Sequence, residues 1–401
     1  DVGVFTDNGL MHATRRAIFR RRRGGVIGTA GKAVVALRWD HGLINFRDLI
    51  LPHLIRLGLP GSMAMNSATN RWELSESAGV TPADLDGWAT KYGIEVWNHS
   101  QTHGAAETPR SLEREIVTGR SELQALIPSV PIEGFVIPGV PSGNYMGFGA
   151  GESVERWDTV AGQLILGSHA VSSSHLPGTD QPLTGDQPIL SRQVSIDAMS
   201  GNDVIRAVDQ AIARKAGLIL FLHPSQLDVS GRITTAHYLM VLEHLAARRA
   251  AGELEVLTMG ALSVADVTRT YRHDPVVDPS FSAGSAKWGG STGWTVASRG
   301  GVTTAGTDPL TQTVDLAGRE WMLGGPRDLV IRAAERNGNP LTLEISNGIA
   351  TRQVALATGS SDWQTLHLPG ILPLGATTAN LSVRRVSGGY PHIESIRWTT
   401  I

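Results

Sequence analysis

Short apolar runs alternate with longer amphipathic stretches over roughly the first two thirds of the chain. Each apolar run is four to seven residues long, which is the length of a strand buried on both faces of a parallel sheet. The runs occupy residues 33–39, 93–97, 134–137, 218–222 and 254–257. They predict five buried strands.

Helices are predicted between these strands from their start and stop signals. Thr81-Pro82 and Thr108-Pro109 each place a capping hydroxyl before a proline at the first helical position. Two further helices are predicted over 200–217 and 234–252. Such strand–helix alternation predicts a parallel α/β sheet or barrel with right-handed crossovers. The Gly-, Ser- and Pro-rich segment 139–194 breaks the alternation and is expected to be a long excursion over the active face.

The pattern of apolar and polar residues changes near Asp274-Pro275, beyond which the helical periodicity is lost. Short alternating runs between turn clusters follow, which is typical of an antiparallel β-sandwich. These runs cover 329–333, 341–345, 353–357, 363–368 and 379–383. We therefore predict three parts: a lead-in over 1–32, a (β/α) domain over 33–272 and an all-β sandwich over 275–401.

The lead-in contains a basic run, Arg20-Arg21-Arg22-Arg23, followed by Gly24-Gly25. Such a run can grip a polyanion, but a solvated helix end or a subunit contact is the favoured interpretation. The chain also begins at Asp1 with no initiator Met and no apolar signal segment, so we expect it to be a processed piece of something longer.

Composition excludes several classes of protein. The 401 residues carry 35 basic and 37 acidic side chains, a net charge of −2, which argues against a nucleic-acid partner or a membrane-surface protein. There is no Cys, so disulfides and thiolate chemistry are absent. The apolar runs are far shorter than the ~20 residues that span a bilayer, so no membrane span is expected.

Polar residues follow directly after four of the predicted strands. In parallel α/β barrels the active site is built at these carboxyl ends, so we expect the four groups to meet. They are Asp40-His41-Gly42, Asn98-His99-Ser100-Gln101-Thr102-His103, Pro138-Gly139 and His223-Pro224.

The histidines in these groups suggest a metal site. His99 and His103 are four residues apart, close enough to bind one ion, and His41 can supply a third nitrogen. Three protein ligands and an open position form the usual catalytic zinc site, and Asp40 beside it can take a proton from water. The same HxxxH spacing can also arise by chance or be structural, and His223 can be a strand-end histidine bonded to a carbonyl.

The order of these motifs resembles that of the polysaccharide deacetylase family, the family-four carbohydrate esterases, over about residues 33–262. That family carries strand-TFDDG, HSxxH or HTxxH, RxPY and a late LxxH strand. The corresponding segments here are Arg38-Trp39-Asp40-His41-Gly42, His99-Ser100-Gln101-Thr102-His103, Val136-Ile137-Pro138-Gly139 and Leu220-Phe221-Leu222-His223. The resemblance implies a distorted (β/α) barrel and metal-dependent hydrolysis of N- or O-acetyl groups on glycans.

The resemblance also implies roles for matched residues. Asp40 matches the catalytic base, His223 the general acid, and His99 and His103 two metal ligands. His41 stands where the family has a ligating Asp. The ion is expected to be Zn²⁺ or another divalent transition metal.

Other positions of the third and fourth motifs match less directly. Val136 stands where the family has the Arg that orients the base, which implies that Asp40 lacks its charge partner. Gly139 occupies the position whose backbone N–H helps to hold the oxyanion, and Pro138 and Trp39 are predicted to bind substrate. Asp197 is a candidate for the Asp of a further motif.

The last third of the chain resembles carbohydrate-binding β-sandwich modules with a jelly-roll-like fold. Asp278-Pro279-Ser280-Phe281 followed by Gly293-Trp294 is how such modules open. Tryptophan rings stack on sugars, but sandwich cores also use them, and burial is the favoured interpretation for each one. The five in this region are Trp288, Trp294, Trp321, Trp363 and Trp398.

We therefore predict a metal-dependent deacetylase acting on cell-envelope polysaccharide or peptidoglycan, with a glycan-binding C-terminal domain. The alternative is a catalytically weak or inactive receptor- or glycan-binding module. The predominance of Arg over Lys among the basic residues and the missing initiator Met resemble a tail protein of an actinobacterial phage. The resemblance implies a place in the virion tail, with other tail proteins or further copies of the chain as partners. A secreted bacterial esterase is the alternative origin.

Overall fold

The chain divides into two compact units, the first ending at Tyr271 and the second running from Arg272 to Ile401. The predicted boundary at Asp274-Pro275 and the segment 278–281 lie outside the described residues. The computed structural model describes residues 2–22, 26–68, 79–140, 145–149, 155–174, 176–269, 288–289, 293–296, 301–315, 326–335, 339–348, 350–356, 364–371 and 378–400.

A parallel sheet forms the centre of the first unit. Its order is β7-β6-β5-β4-β3-β2-β9-β8, and β10 also pairs with β2. A second, two-stranded parallel sheet joins β1 to β11. The strands are β1 Ile27–Gly28, β2 Ala33–Asp40, β3 Gly61–Met65, β4 Ile94–Asn98, β5 Gly134–Val136, β6 Val171–Ser173, β7 Ile189–Leu190, β8 Val194–Ser195, β9 Gly217–Leu222, β10 Leu254–Leu257 and β11 Ala265–Asp266.

Strand β2 lies at the middle of the sheet and pairs with three others. It contacts β9 along most of its length, β10 through its first four residues and β3 through its last three. Every residue of β2 is buried, because both faces of the sheet are covered. This parallel sheet with helices between its strands confirms the predicted α/β class.

Helices connect the strands and cover the sheet. The four predicted from capping signals are confirmed as α4, the α5–α6 pair, α8 and α9; Thr108, for example, accepts the amide of Ser111 in a capping box. The helices are α1 Val2–Arg22, α2 Leu43–Asn45, α3 Leu51–Leu57, α4 Pro82–Tyr92, α5 Pro109–Glu113, α6 Gly119–Leu126, α7 Val160–Ser168, α8 Gly201–Arg214, α9 Thr235–Ala250 and α10 Met259–Leu262.

Two π turns interrupt the helices that follow β2 and β4. Phe46–Ile50 joins α2 to α3, and Arg114–Thr118 joins α5 to α6. A π turn adds one residue to a helical turn and is frequent near functional sites. Both lie in the helical segments that follow the two strands carrying the candidate metal ligands.

Segment 139–194 is not the excursion expected from its composition. It contributes helix α7 and strands β6, β7 and β8 to the first unit. These strands are only two or three residues long and include serines, so they carry no apolar run. Strand β3 was also missed, because it begins with Gly61 and therefore carries no continuous apolar run. A glycine is needed there, since a Cβ would lie 2.3 Å from the Trp39 ring.

The predicted lead-in is part of the first unit. Helix α1 buries Phe19. His12 Nδ1 lies 2.8 Å from the Leu166 carbonyl and Arg15 donates to the Gly167 carbonyl, so the two bind the last turn of α7. Arg20, the first residue of the basic run, pairs with Asp186 at 2.9 Å. Residues 23–25 lie outside the part of the chain that the structure describes.

The second unit is an all-β sandwich, as predicted. One sheet has the order β12-β13-β20-β15-β18 and the other β14-β19-β16-β17, with antiparallel pairing throughout. Side chains of both sheets form one hydrophobic core. The strands are β12 Trp294–Val296, β13 Val302–Thr304, β14 Leu310–Asp315, β15 Pro326–Glu335, β16 Leu341–Ser346, β17 Thr351–Leu356, β18 Gln364–Ile371, β19 Thr378–Gly388 and β20 Pro391–Thr400.

Three of the five tryptophans of this region are core residues. Trp288, Trp294 and Trp398 are each at most 3% exposed and belong to the sandwich core. Trp321 and Trp363 lie outside the described residues. The three described rings therefore have no open face on which a sugar could stack.

Within the part of the chain that the structure describes, no helix is both long and apolar enough to cross a membrane.

Separate expression of residues 1–271 and 272–401 is expected to give two folded proteins, because each compact unit has its own hydrophobic core. Thermal unfolding followed by circular dichroism should show one cooperative transition for each fragment. The full chain is the control and should show both transitions. An insoluble fragment, or one that melts without cooperativity, would mean that the two units fold as one.

Candidate active site and metal centre

The carboxyl ends of β2, β4 and β9 bring the predicted polar groups together. The ring of His41 lies 5.6 Å from that of His99, 5.8 Å from that of His103 and 5.4 Å from that of His223, measured between centroids. His99 and His103 are 4.9 Å apart. Three histidines therefore form one cluster at this edge of the sheet, and His223 lies beside His41.

Three of these histidines can hold one metal ion. One ring nitrogen from each of His41, His99 and His103 lies within 4.8 Å of the other two. The Nδ1 of His99 lies 3.0 Å from the Val136 carbonyl. A carbonyl only accepts, so Nδ1 carries the hydrogen and Nε2 is the nitrogen available to a metal.

The imidazoles are in the protonation state that a ligand needs. Burial lowers the pKa of His41 to about 4. The carboxylate of Asp40 opposes this shift, and the nearby His223 and His103 add to it. Burial also holds the pKa of His99 well below its usual value. Both rings are neutral at pH 7, and neutral imidazole nitrogen is a good ligand for zinc. The donor set fits a divalent transition metal.

The ligands are held in an uncommon backbone conformation. His41, Ser100 and His103 all have positive φ, at 44°, 72° and 59°, although none is glycine. Such left-handed residues are uncommon and cluster at functional sites. Gly42 also has positive φ, and a Cβ there would lie 2.8 Å from the backbone nitrogen of Ser225. The loop after β2 is thus pressed against the loop after β9.

Asp40 is bound by an arginine on its own strand. Arg38 donates from Nε to Oδ1 at 2.8 Å and from Nη2 to Oδ2 at 2.5 Å, and both side chains are buried. Residues i and i+2 of a strand share a face, so this pairing follows from β2 being extended. Arg38 also donates from Nη1 to Gln193 and stacks on Phe221 at 4.4 Å.

The expectation that Asp40 lacks a cation is therefore wrong. Val136 is buried, and its backbone carbonyl, bonded to His99, serves the site. Arg38 supplies the cation beside Asp40 from β2.

The Arg38 guanidinium determines the charge state of Asp40. Burial by itself would raise the pKa of this carboxyl, but Arg38 outweighs it and holds the pKa of Asp40 well below its usual range. The carboxylate Oδ2 lies 3.6 Å from His99 Nε2, the nitrogen that faces the metal site. Asp40 is thus an ionised acceptor at the edge of the three-histidine cluster.

His223 is bound to a second carboxylate. Asp197 accepts the His223 amide at 2.9 Å and its Nδ1 at 2.7 Å. A carboxylate only accepts, so Nδ1 carries a hydrogen and Nε2 is the nitrogen that can deliver a proton. Burial lowers the pKa of His223, but the bond to Asp197 and the charge of Asp40 outweigh it, so that its pKa is raised. Asp197, a candidate from the sequence, thus orients His223.

The two predicted substrate-binding side chains lie in the interior. Trp39 is fully buried, with its Nε1 donating to the Tyr238 hydroxyl at 2.8 Å and its ring against Phe46. It points to the opposite face of β2 from Arg38 and Asp40, as alternation along a strand requires. Pro138 is buried as well, so neither offers a face to a substrate. Gly139 is exposed beside Pro138, and its oxyanion role stays a prediction.

Three supporting residues were missed by the sequence analysis. Arg38 had a usable signal, its place two residues before Asp40 in a predicted strand. Asn66 donates to the carbonyls of His99 and Ser100, at 2.5 and 3.2 Å, and Glu115 binds the loop that carries His103. Neither lies in a recognisable pattern, because each reaches the site from a segment distant in sequence.

Replacing Arg38 by Met is expected to destabilise the protein by about 3–5 kcal/mol, because it leaves the Asp40 carboxylate buried without its cation. Adding Asp40→Asn should recover much of this loss, since no buried charge then remains. Urea unfolding of the two single variants and the double variant measures the coupling. Arg47→Met is the control and should cost at most ~1 kcal/mol, because the Arg47–Asp48 pair is exposed. Equal losses in the single and double variants would contradict the pairing.

Protein purified without chelator is expected to retain about one equivalent of zinc or another transition metal per chain. The double variant His99→Ala/His103→Ala should retain none, because two of three nitrogen ligands are gone. His237→Ala is the control, since that histidine is exposed on α9. Elemental analysis measures all three proteins, and unchanged metal content in the double variant would exclude this site.

The sequence matches no protein-family model and no curated protein at a significant level. Three solved structures are similar in part. A polysaccharide deacetylase described as putative, from Mycobacterium smegmatis, is 15% identical, with 62% of this chain and 95% of that one covered and a TM-score of 0.40. A family 4 acetyl xylan esterase from Clostridium thermocellum, in complex with a cobalt ion, is 17% identical, with 61% and 100% covered and a TM-score of 0.36. The carbohydrate-binding module TmCBM61, bound to β-1,4-galactotriose, is 16% identical, with 32% and 100% covered and a TM-score of 0.25.

Proposed function

We propose that this chain is a metal-dependent hydrolase that removes acetyl groups from a cell-envelope polysaccharide or peptidoglycan. One observation carries the proposal: a carboxylate held ionised lies beside His99, and a histidine with a raised pKa lies beside His41, in the same three-histidine cluster. Whether the protein belongs to a phage tail or is secreted, its substrate would be reached from outside the cell.

The environments of Asp40 and His223 assign their roles. Titratable pairs whose surroundings push their pKa values apart divide into base and acid. Asp40 is kept ionised by Arg38, so it accepts a proton. Burial lowers the pKa of His223, but its bond to Asp197 helps to raise it overall, so we assign His223 as the proton donor.

His41, His99 and His103 would hold the metal ion, most suitably Zn²⁺ because all three donors are imidazole nitrogens. When bound, such an ion supplies Lewis-acid activation of water and of the acetyl carbonyl. Asp40 and His223 would provide the proton transfers next to it.

The residues account for every proton in the hydrolysis. Water attacks the carbonyl carbon of the acetyl group and gives a proton to Asp40. The bond between that carbon and the sugar nitrogen or oxygen then breaks, and His223 Nε2 protonates the leaving atom. Acetic acid and the free amine or hydroxyl are released; the acid ionises to acetate in water, and transfer of the proton from Asp40 to His223 restores the starting state. The backbone N–H of Gly139 is proposed to stabilise the negative charge that develops on the carbonyl oxygen.

A catalytically weak binding module is the second candidate. His41 in place of the family's ligating Asp favours it, because this changes the charge of the metal site. Arg38 removes the other argument for it, since Asp40 has its cation after all. Glycan binding by the sandwich is proposed as well, but the three described tryptophans do not supply it, because they are buried.

Replacing Asp40 by Asn is expected to lower turnover by about 10²–10⁴-fold while leaving the metal bound, because an amide cannot accept the proton from water. The assay is acetate release from acetylated chito-oligosaccharides and from host envelope, with and without chelator. Asp48→Asn is the control, because Asp48 is an exposed carboxylate.

Equal acetate release by wild type and Asp40→Asn would contradict the assignment of the base. If neither protein released acetate from envelope with metal bound, the binding-module function would replace the hydrolase.

A further inference from the structure

His103 is placed by a loop, whereas His41 and His99 directly follow strands. The loop begins at Ser100, and both Ser100 and His103 have positive φ. A loop with two such residues keeps its shape only if surrounding groups hold it. The position of the third candidate ligand therefore depends on what binds this loop.

Three successive amides of the loop are hydrogen-bonded. The N–H of Gln101 donates to the Glu115 carbonyl at 2.9 Å, and that of Thr102 to Glu115 Oε2 at 2.9 Å. The N–H of His103 donates to Ser100 Oγ at 3.0 Å. Glu115 thus binds two of the three amides.

Both carboxyl oxygens of Glu115 accept hydrogen bonds from this loop. Its second oxygen, Oε1, accepts the Thr102 hydroxyl at 2.7 Å, and the residue is 1% exposed. A buried carboxylate whose two oxygens both bind one residue fixes that residue's position.

The helix that carries Glu115 is packed directly on the loop. A Cβ at Gly119 would lie 2.7 Å from the Gln101 nitrogen and 3.0 Å from the Ser100 carbonyl carbon. Both are backbone atoms, which cannot move aside by a change of rotamer as a side chain can, so the close packing requires glycine at position 119. Glu115 itself lies in the π turn Arg114–Thr118, where its carbonyl and its side chain both face the loop.

We propose that Glu115 is a positioning residue for the metal centre: from the π turn between α5 and α6, it fixes the Ser100–His103 loop and so sets the third ligand, His103. The proposal rests on the metal centre proposed above. Glu115 would not contact the ion or the substrate, and it would act through Thr102 and the backbone of the loop.

The test is the affinity of the metal-free full chain for Zn²⁺, measured by competition with a chromogenic chelator. Loss of an outer partner of a ligand typically weakens metal binding 10–100-fold. Glu115→Gln should weaken Zn²⁺ binding by about tenfold or more, because the amide group would face a donor where a carboxylate oxygen accepted. Glu113→Gln is the matched control, since it lies two residues earlier and is exposed.

A second pair of variants tests the same contact from the loop. Thr102→Val removes the hydroxyl that binds Oε1 and should weaken Zn²⁺ binding, whereas Thr102→Ser keeps a hydroxyl and should bind nearly as wild type. In the metal-free protein, peptide hydrogen exchange over residues 99–104 should be faster for Thr102→Val than for Thr102→Ser. A merely structural contact would lower the melting temperature without changing the affinity.

The outcomes separate the two proposals. If wild type binds no Zn²⁺, the metal centre is wrong and the role of Glu115 is wrong with it. If wild type binds Zn²⁺ and Glu115→Gln and Thr102→Val bind it equally well, the metal centre stands and the positioning role is overturned.

Discussion

Burial of the Asp40 carboxylate is the constraint on which the site depends. An ionised group removed from water must be paired and hydrogen-bonded, or it takes up a proton and stops being a base. Arg38 meets this need with two bonds from the same face of the same strand. The guanidinium must in turn be satisfied, and it binds Gln193 just before β8 and stacks on Phe221 in β9. One buried charge thereby links three neighbouring segments of the parallel sheet.

The pairing of Asp40 with Arg38 also determines the charge that a metal ion would meet. The charges of Asp40 and Arg38 cancel, and His41 and His99 are neutral, so none of these groups offsets the charge of a divalent ion. An aspartate at position 41 would make the site one unit more negative. A site of three imidazoles should therefore leave bound water more acidic and favour metals that prefer nitrogen donors. With His at position 41, the three ring nitrogens can hold one ion.

The sequence predicted what local pattern controls and missed what depends on distant contacts. Buried strands such as β2 and β9 carry long apolar runs, and α4 and α9 carry clear caps, so their positions were predicted within a few residues. Strands β6 to β8 were missed because segments of two or three residues carry no periodicity. Arg38 was missed for another reason. The resemblance led us to look for the cation at position 136, whereas the residue that pairs with Asp40 lies on β2. Trp39 was assigned to substrate although strand alternation places it opposite Asp40.

The cost of the site is an argument for chemistry. Positive φ at His41, Ser100 and His103 costs of the order of 1–3 kcal/mol for each residue, and a buried ion pair is often less stable than an apolar replacement. The net free energy of unfolding of a native protein is only about 5–15 kcal/mol, so the costs of these features are comparable with it. A module that binds through its sandwich gains nothing from a strained metal loop, a buried Arg–Asp pair or a histidine held by Asp197. All of these costs fall at one edge of one sheet, in and beside the three-histidine cluster. That concentration supports the hydrolase over the binding module, because only a reaction requires an acceptor, a donor and an ion site in this arrangement.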